Sequence, residues 1–334
     1  MTIDSEVREG ARNAVRVCMN VQAQDRVLVL TDDETWSIGQ TLAEEALATG
    51  AAVKLLRLEA YAHRPLSAVP ERLVPDIEAF APTVSFFAAG SQPGEIAFRM
   101  QLSRHLRGVL KVRHAHMPGI EPRVMRQAMR ADYRQVHALT MQVYERVQSA
   151  QAIRVTSPKG TDLTARFSPN LKWIPSHGLY HEQGQWGNLP EGEVYTCPAT
   201  AQGTLVADVL GDYFSPKYGV LAHPVTFHIA NGWVERVICA DKAIEAEVWA
   251  YLNSDANGRR VGEFAIGTNT AITELTGNLL QDEKLPGVHV AFGNPYPQET
   301  GADWSSAVHV DVIPTHCTIE VDGEVIMTDG KFQL

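Results

Sequence analysis

Over the first 150 residues the apolar positions switch between two periods. Val7, Ala11, Val15 and Cys18 recur at helical spacing within residues 4–19, and Arg26–Asp32 (RVLVLTD) follows as a nearly continuous apolar run of strand length. Such a run is the pattern of a strand buried on both faces, as in a parallel sheet. Residues 34–49 read as a helix closed by Gly50, and Ala52–Leu58 (AVKLLRL) as a second strand, which completes a βαβ unit. Third and fourth strands are expected at Thr83–Ala88 and Gly108–Val112, with helices near 68–79, 95–106 and 121–148. The spacing predicts a doubly wound, flavodoxin-like parallel sheet over residues 1–150.

Beyond residue 150 the pattern changes to short strands and tight turns. Ile153–Thr156 and Asp162–Phe167 flank Ser157-Pro158-Lys159-Gly160, Val225–Ala230 and Trp233–Cys239 flank Asn231-Gly232, and Cys317–Val321 and Glu324–Met327 flank Asp322-Gly323. These are hairpin signals, the Asn-Gly pair the strongest of them. With helices expected near 240–254 and 270–280, residues 151–334 read as an α+β lobe of antiparallel strands. The whole is an α/β protein of two lobes, in keeping with 334 residues and a prior of roughly 150 residues per domain.

Composition narrows what such a chain does. The 29 Lys+Arg against 39 Asp+Glu leave a formal charge of −10, which argues against a nucleic-acid or anionic-membrane partner, because those require an excess of cations. Cys18, Cys197, Cys239 and Cys317 form no paired motif, so a reducing compartment is expected, with the thiols buried or incidental. The amino terminus lacks the apolar core of a signal peptide and no window is apolar enough to span a membrane, so a cytoplasmic location is expected. The turn after the first strand, Thr31-Asp32-Asp33-Glu34, has no glycine and three acids, which would repel a pyrophosphate. Those acids read as the solvated start of the following helix. The Gly-rich run Ala89–Gly94 lacks a Gly-Lys-Ser/Thr ending and reads as a surface turn.

Acids and histidines gather in four stretches of the second lobe: NLPEGEVYT (188–196), GEFAIGTN (262–269), DEKLPGVHVAFGNPY (282–296) and SSAVHVDVI (305–313). In a strand, residues two apart face the same side, so His309 and Asp311 project together while Val308, Val310 and Val312 cover the other face. His289 repeats the theme between Val288 and Val290. Imidazole with carboxylates suits Zn, Mn, Co or Fe, and the absence of nearby thiolate argues against a structural cysteine site. A hydrogen-bonded core histidine or a buried His–Asp ion pair is the competing reading. His114-x-His116 reads as a loop pair after the fourth strand. His177 and His181 lie in a Gly/Pro-rich loop near a pocket entrance, and Trp186, Trp304 and Phe292 are candidate pocket walls or core.

The four stretches, in this order, resemble the signature of the thermophilic aminopeptidase family of metallopeptidases, the aminopeptidase T and S type. The resemblance covers most of residues 185–327; before that only the βαβ layout supports it. It implies a dinuclear centre of Zn, Co or Mn built from Glu193, Glu263, His289, Tyr296, His309 and Asp311, with Glu191 set aside. Glu193 or Glu263 would serve as ligand or as general base, and Tyr296 as a weak ligand or oxyanion donor. The implied activity is release of N-terminal residues from short peptides by a metal-activated water. A homodimer is expected on the general ground that two-lobed cytoplasmic hydrolases are often symmetric dimers. The chain is shorter than those peptidases, and the same superfamily is similar to 2,5-dihydroxypyridine dioxygenases of about this length. These use one Fe(II) held by two His and one Asp, for which His289, His309 and Asp311 are the candidates. Retention of Glu193 and Glu263 favours the hydrolase. A non-catalytic binding protein on the same fold is the third reading.

Overall fold

In chain order the strands are β1 (Arg26–Thr31), β2 (Ala52–Arg57), β3 (Val84–Ala88), β4 (Arg113–His116), β5 (Ala152–Thr156), β6 (Asp162–Arg166), β7 (Ile174–Ser176), β8 (Trp186–Asn188) and β9 (Glu193–Thr196). There follow β10 (Thr200–Leu210), β11 (Val220–Ala230), β12 (Trp233–Ile238), β13 (Val261–Gly267), β14 (Gly287–Gly293), β15 (His309–Ile313), β16 (Thr318–Val321), β17 (Glu324–Thr328) and β18 (Lys331–Phe332). The computed structural model describes residues 4–211 and 213–334. The chain divides into two units, Met1–Gln135 with Gly178–Glu191, and Val136–His177 with Gly192–Leu334.

The first unit holds a five-stranded sheet in the order β2-β1-β3-β4-β8, parallel throughout. Leu28 and Leu30 of β1 pack with Phe87, Phe98, Leu102 and Leu106 in its core, as the continuous apolar run requires. The second unit holds a curled antiparallel sheet in the order β18-β17-β16-β5-β6-β10-β15-β14-β13-β9-β7, with β11 on β10 and β12 on β11. All three hairpins form at their turns. The fold is thus mixed α/β, a parallel sheet followed by an antiparallel one. No helix among the described residues is long and apolar enough to cross a membrane.

Three elements depart from expectation. The fourth strand is Arg113–His116, not Gly108–Val112. The apolar run GVLKV closes a π-helical turn (His105–Val109) in which Leu106 is buried and Val109 exposed, and the Val112 amide donates back to the Leu106 carbonyl at 3.0 Å, so the run serves a turn rather than a ladder. Residues 270–280 are not a helix: the Asp282 carboxylate accepts from the Thr276 and Gly277 amides at 2.9 and 2.7 Å and holds the segment as a loop. Only Leu279–Asp282 is helical, capped by the Asn278 side chain. The long helix near 121–148 is divided into Pro122–Arg126 and Tyr133–Val147, with Ala131 extended between them.

Candidate metal centre

The site is built by four neighbouring strands of the second unit, in the order β15-β14-β13-β9. Because residues two apart share a face, the register assembles it row by row. Ala291 of β14 stands between Asp311 of β15 and Glu263 of β13. Ala265 stands between His289 and Tyr195, Gly267 opposes Glu193, and Gly293 opposes His309. Small residues therefore separate the polar ones and leave the room in which their side chains converge. The alternate residues Phe264, Ile266, Val288, Val290, Phe292, Val310 and Val312 turn into the core. A bulge between Val261 and Glu263 re-aims the start of β13.

His289 Nε2 lies 3.6 Å from Glu193 Oε2, 3.7 Å from Glu263 Oε1 and 3.8 Å from Asp311 Oδ1. His309 Nε2 lies 3.5 Å from Asp311 Oδ2 and 3.7 Å from Glu263 Oε2. The Nδ1 of His309 is 3.0 Å from the Asn294 carbonyl. A proton on that nitrogen is donated outward to the carbonyl, which presents the Nε2 lone pair to the carboxylates. The Tyr296 hydroxyl is 3.2 Å from the same Nε2 and the residue is exposed. Among the described residues, two groups of ligand atoms lie within 4.8 Å of one another: Glu263, His309 and Asp311, and Glu283, His289 and Asp311. Asp311 is common to both, and the two imidazoles fall in different groups.

Two participants were not singled out from the sequence, Glu283 and Lys284. Both stand in the DEKLPGVH stretch that drew attention for His289, and an acid–base pair at the entry of an apolar strand was the available signal. The Lys284 side chain is 1% exposed, with Nζ 2.7 Å from Glu193 Oε1 and 2.9 Å from Glu283 Oε1.

Burial sets the protonation of the centre, and the neighbours modify it. Burial pushes the Glu263 carboxyl up, and Asp311 adds to that. It raises Glu283 to about 8, with Lys284 opposing. For His289 burial works toward the neutral ring, but the hydrogen bond to Glu263 and the charges of Glu193 and Asp311 prevail and hold it at about 9. Asp311 is likewise penalised by burial, yet His309 and then His289 keep it below the usual carboxylate range. Glu193 Oε2 and His289 Nδ1 are buried and make no hydrogen bond. A dense, buried array of carboxylate oxygens and imidazole nitrogens with unsatisfied atoms fits a divalent cation, and no thiolate belongs to either group.

The remaining candidates lie elsewhere. Glu191 belongs to the first unit, where its amide donates to the Tyr133 hydroxyl at 3.2 Å. His114 and His116 are on β4, buried rather than in a loop; His114 Nδ1 is 2.9 Å from Ser85 Oγ and His116 stacks on Phe87. His177 meets the His137 ring edge-on, and His181 Nε2 is 2.8 Å from the Val17 carbonyl. Asp32 is 1% exposed, not solvated, and pairs with Arg64. Phe292 is core against Phe227, while Trp186 and Trp304 lie under Arg107 and Arg260. The four cysteines are free and buried, and burial pushes the Cys317 thiol up to about 11.

Comparison with known proteins follows the same division. No curated protein matches the chain in sequence. Among solved structures, a 2,5-dihydroxypyridine dioxygenase from Pseudomonas putida is similar over 98% of this chain and 96% of its own, with TM-score 0.68 and 16% identity. AmpT from Thermus thermophilus is similar over 99% of both chains, with TM-score 0.70 and 19% identity. At such identities the likeness is one of fold, and the resemblance to the thermophilic aminopeptidases holds at that level, as a related family. The sequence profile of 2,5-dihydroxypyridine 5,6-dioxygenase matches residues 7–334, nearly the whole chain, and the protein belongs to that family of enzymes.

Proposed function

We propose that the protein is a metal-dependent dioxygenase that opens a dihydroxypyridine-type ring. The observation that carries this reading is the Glu263–His309–Asp311 group. Three ligand atoms from one sheet face, with His309 and the exposed Tyr296 at the outer flank, leave the remaining coordination positions to substrate and oxygen. Family membership supports the ring-opening chemistry. Compared with the His289–His309–Asp311 triad expected from sequence, Glu263 stands where the second imidazole was placed. Bound Fe(II) would supply the redox centre, and because a dioxygenase puts both atoms of O2 into the product, no outside reductant is consumed. Tyr296, its hydroxyl 3.2 Å from His309 Nε2, is positioned to donate a hydrogen bond to a ring oxygen. His289, faced by three carboxylates, holds a proton at Nε2 beside the same space.

A second reading, metalloaminopeptidase, is favoured by the second group, Glu283–His289–Asp311, which shares Asp311 with the first as a two-ion centre would. One experiment separates the two. Protein loaded anaerobically with Fe(II) is mixed with 2,5-dihydroxypyridine in an oxygen electrode, and the same preparation, loaded with Zn, Co or Mn, is offered an aminoacyl arylamide. One O2 consumed per ring lost is expected. Oxygen-independent arylamide cleavage with no ring loss would sink the dioxygenase and establish the hydrolase.

A further inference from the structure

We propose that Lys284 is a resident cation occupying the second half of the centre, so that one chain binds one divalent ion, at Glu263–His309–Asp311. The inference rests on the metal-dependent reading above and deepens it. Lys284 is among the largest fully buried side chains of the protein, and a buried ammonium persists only where acceptors satisfy it. One oxygen each of Glu193 and Glu283 lies close to its Nζ, at 2.7 and 2.9 Å. Glu283 is the carboxylate on which the second ligand group depends. An ion held by Glu283, His289 and Asp311 would therefore stand within a few ångströms of a fixed positive charge in a buried site, where like-charge repulsion is poorly screened.

The backbone shows that this placement is built. The Lys284 amide donates to the Gln281 carbonyl at 2.9 Å and its carbonyl accepts from the Asn269 amide at 3.1 Å. Gly267, at the end of β13, has no side chain to keep the segment away: a Cβ there would lie 2.1 Å from the Leu285 carbonyl oxygen and 2.8 Å from the Lys284 carbonyl carbon. Gly267 is also the register partner of Glu193, so the close approach that admits Lys284 delivers it to that carboxylate. With Oε1 of Glu193 taken by the ammonium, Oε2, buried and without a hydrogen bond, is left as the single atom of that residue aimed at His289. Lys284 is thus a positioning residue for the metal centre.

The test is ion stoichiometry, read by elemental analysis after equilibration with Mn(II) and gel filtration, on wild type, K284M, K284Q and K284R. One Mn(II) per chain is expected in the wild type and in K284R, which keeps the charge, and two in K284M and K284Q. Two ions per chain in the wild type overturn the proposal whatever the variants do, so it does not depend on K284M folding. A single ion in folded K284M or K284Q also overturns it. Failure of the dioxygenase reading is separable: one ion in wild type and two in K284M, without oxygen uptake on dihydroxypyridine, would leave the role of Lys284 standing.

Discussion

In the first unit Arg64 lies against Asp32 and Glu95, at side-chain exposures of 6%, 1% and 0%, and Arg113 lies 2.7 Å from Asp25. Arg64 also donates to the Gly90 carbonyl at 2.7 Å, and Asp32 accepts from the Gly90 and Thr35 amides. In the second unit Glu193, Glu263, Glu283 and Asp311 share two imidazoles and a single lysine, and two of their buried polar atoms stay unpaired. Both regions bury acids at the ends or faces of strands, but the first seats Arg64 between Asp32 and Glu95 and Arg113 on Asp25, whereas the second faces its four acids, among the described residues, with Lys284 and two imidazoles. Asp32 and Gly90 follow β1 and β3, adjacent strands, at the place where doubly wound sheets receive ligands. Arg64 fills that place. The lesson is that burial of charge does not mark a site; an array of acids short of cations does, because its energy is made up only when something else binds.

The sharpest way to break this contrast is Asp311→Asn, since Asp311 serves both ligand groups. Loss of the bound ion and a fall in turnover of more than about 100-fold are expected, with the fold intact by circular dichroism. Retained metal and activity would show that the acids of the second unit are as structural as those of the first. Next in size, Arg64→Met should destabilise the protein by about 3–5 kcal/mol, because Asp32 and Glu95 are left buried without their cation. Denaturant titration measures this, and metal content of the folded fraction is expected to stay at the wild-type level. A stability unchanged by Arg64→Met would remove one side of the comparison.

A smaller effect is expected of Tyr296→Phe. The hydroxyl touches His309 Nε2 from the exposed flank of the site, while Glu263, His309 and Asp311 already bring three ligand atoms together, so metal should be retained while kcat drops about tenfold, or about 1.4 kcal/mol. Loss of the ion instead would make Tyr296 a ligand. The last expected outcome concerns pH and the first unit, and near neutral pH it is the smallest. Burial, helped by Arg107, lowers His114 from 6.5 to about 3, so between those values the unfolded chain takes a proton that the folded chain refuses. Stability from this residue is complete above pH 6.5 and declines as pH falls toward 3, with a slope of up to about 1.4 kcal/mol per pH unit. His114→Gln should flatten that part of the stability–pH curve measured by urea titration; an unchanged slope would show that His114 does not resist protonation.

The sequence alone determined the period of its clearest strands, and with it their faces, though not the place of β4. The continuous run 26–32 required a strand buried on both sides, the Asn-Gly and Asp-Gly turns required hairpins, and His309-x-Asp311 between valines put imidazole and carboxylate on one face. It also carried the order of stretches from which Glu193, Glu263, His289, Tyr296, His309 and Asp311 were singled out. Only the tertiary structure decided which strands adjoin, and so which of these residues bring their ligand atoms together: period two specifies a face, while register and neighbour are set by packing across the sheet. That is why Glu263 rather than His289 joins His309 and Asp311, and why Glu283 and Lys284 entered unannounced. The worth of a buried charge depends on partners far away in the chain. Asp32 reads as solvated from the sequence because Arg64 is 32 residues on, and Lys284 carries no sequence signal because its partner Glu193 lies on β9, far earlier in the chain.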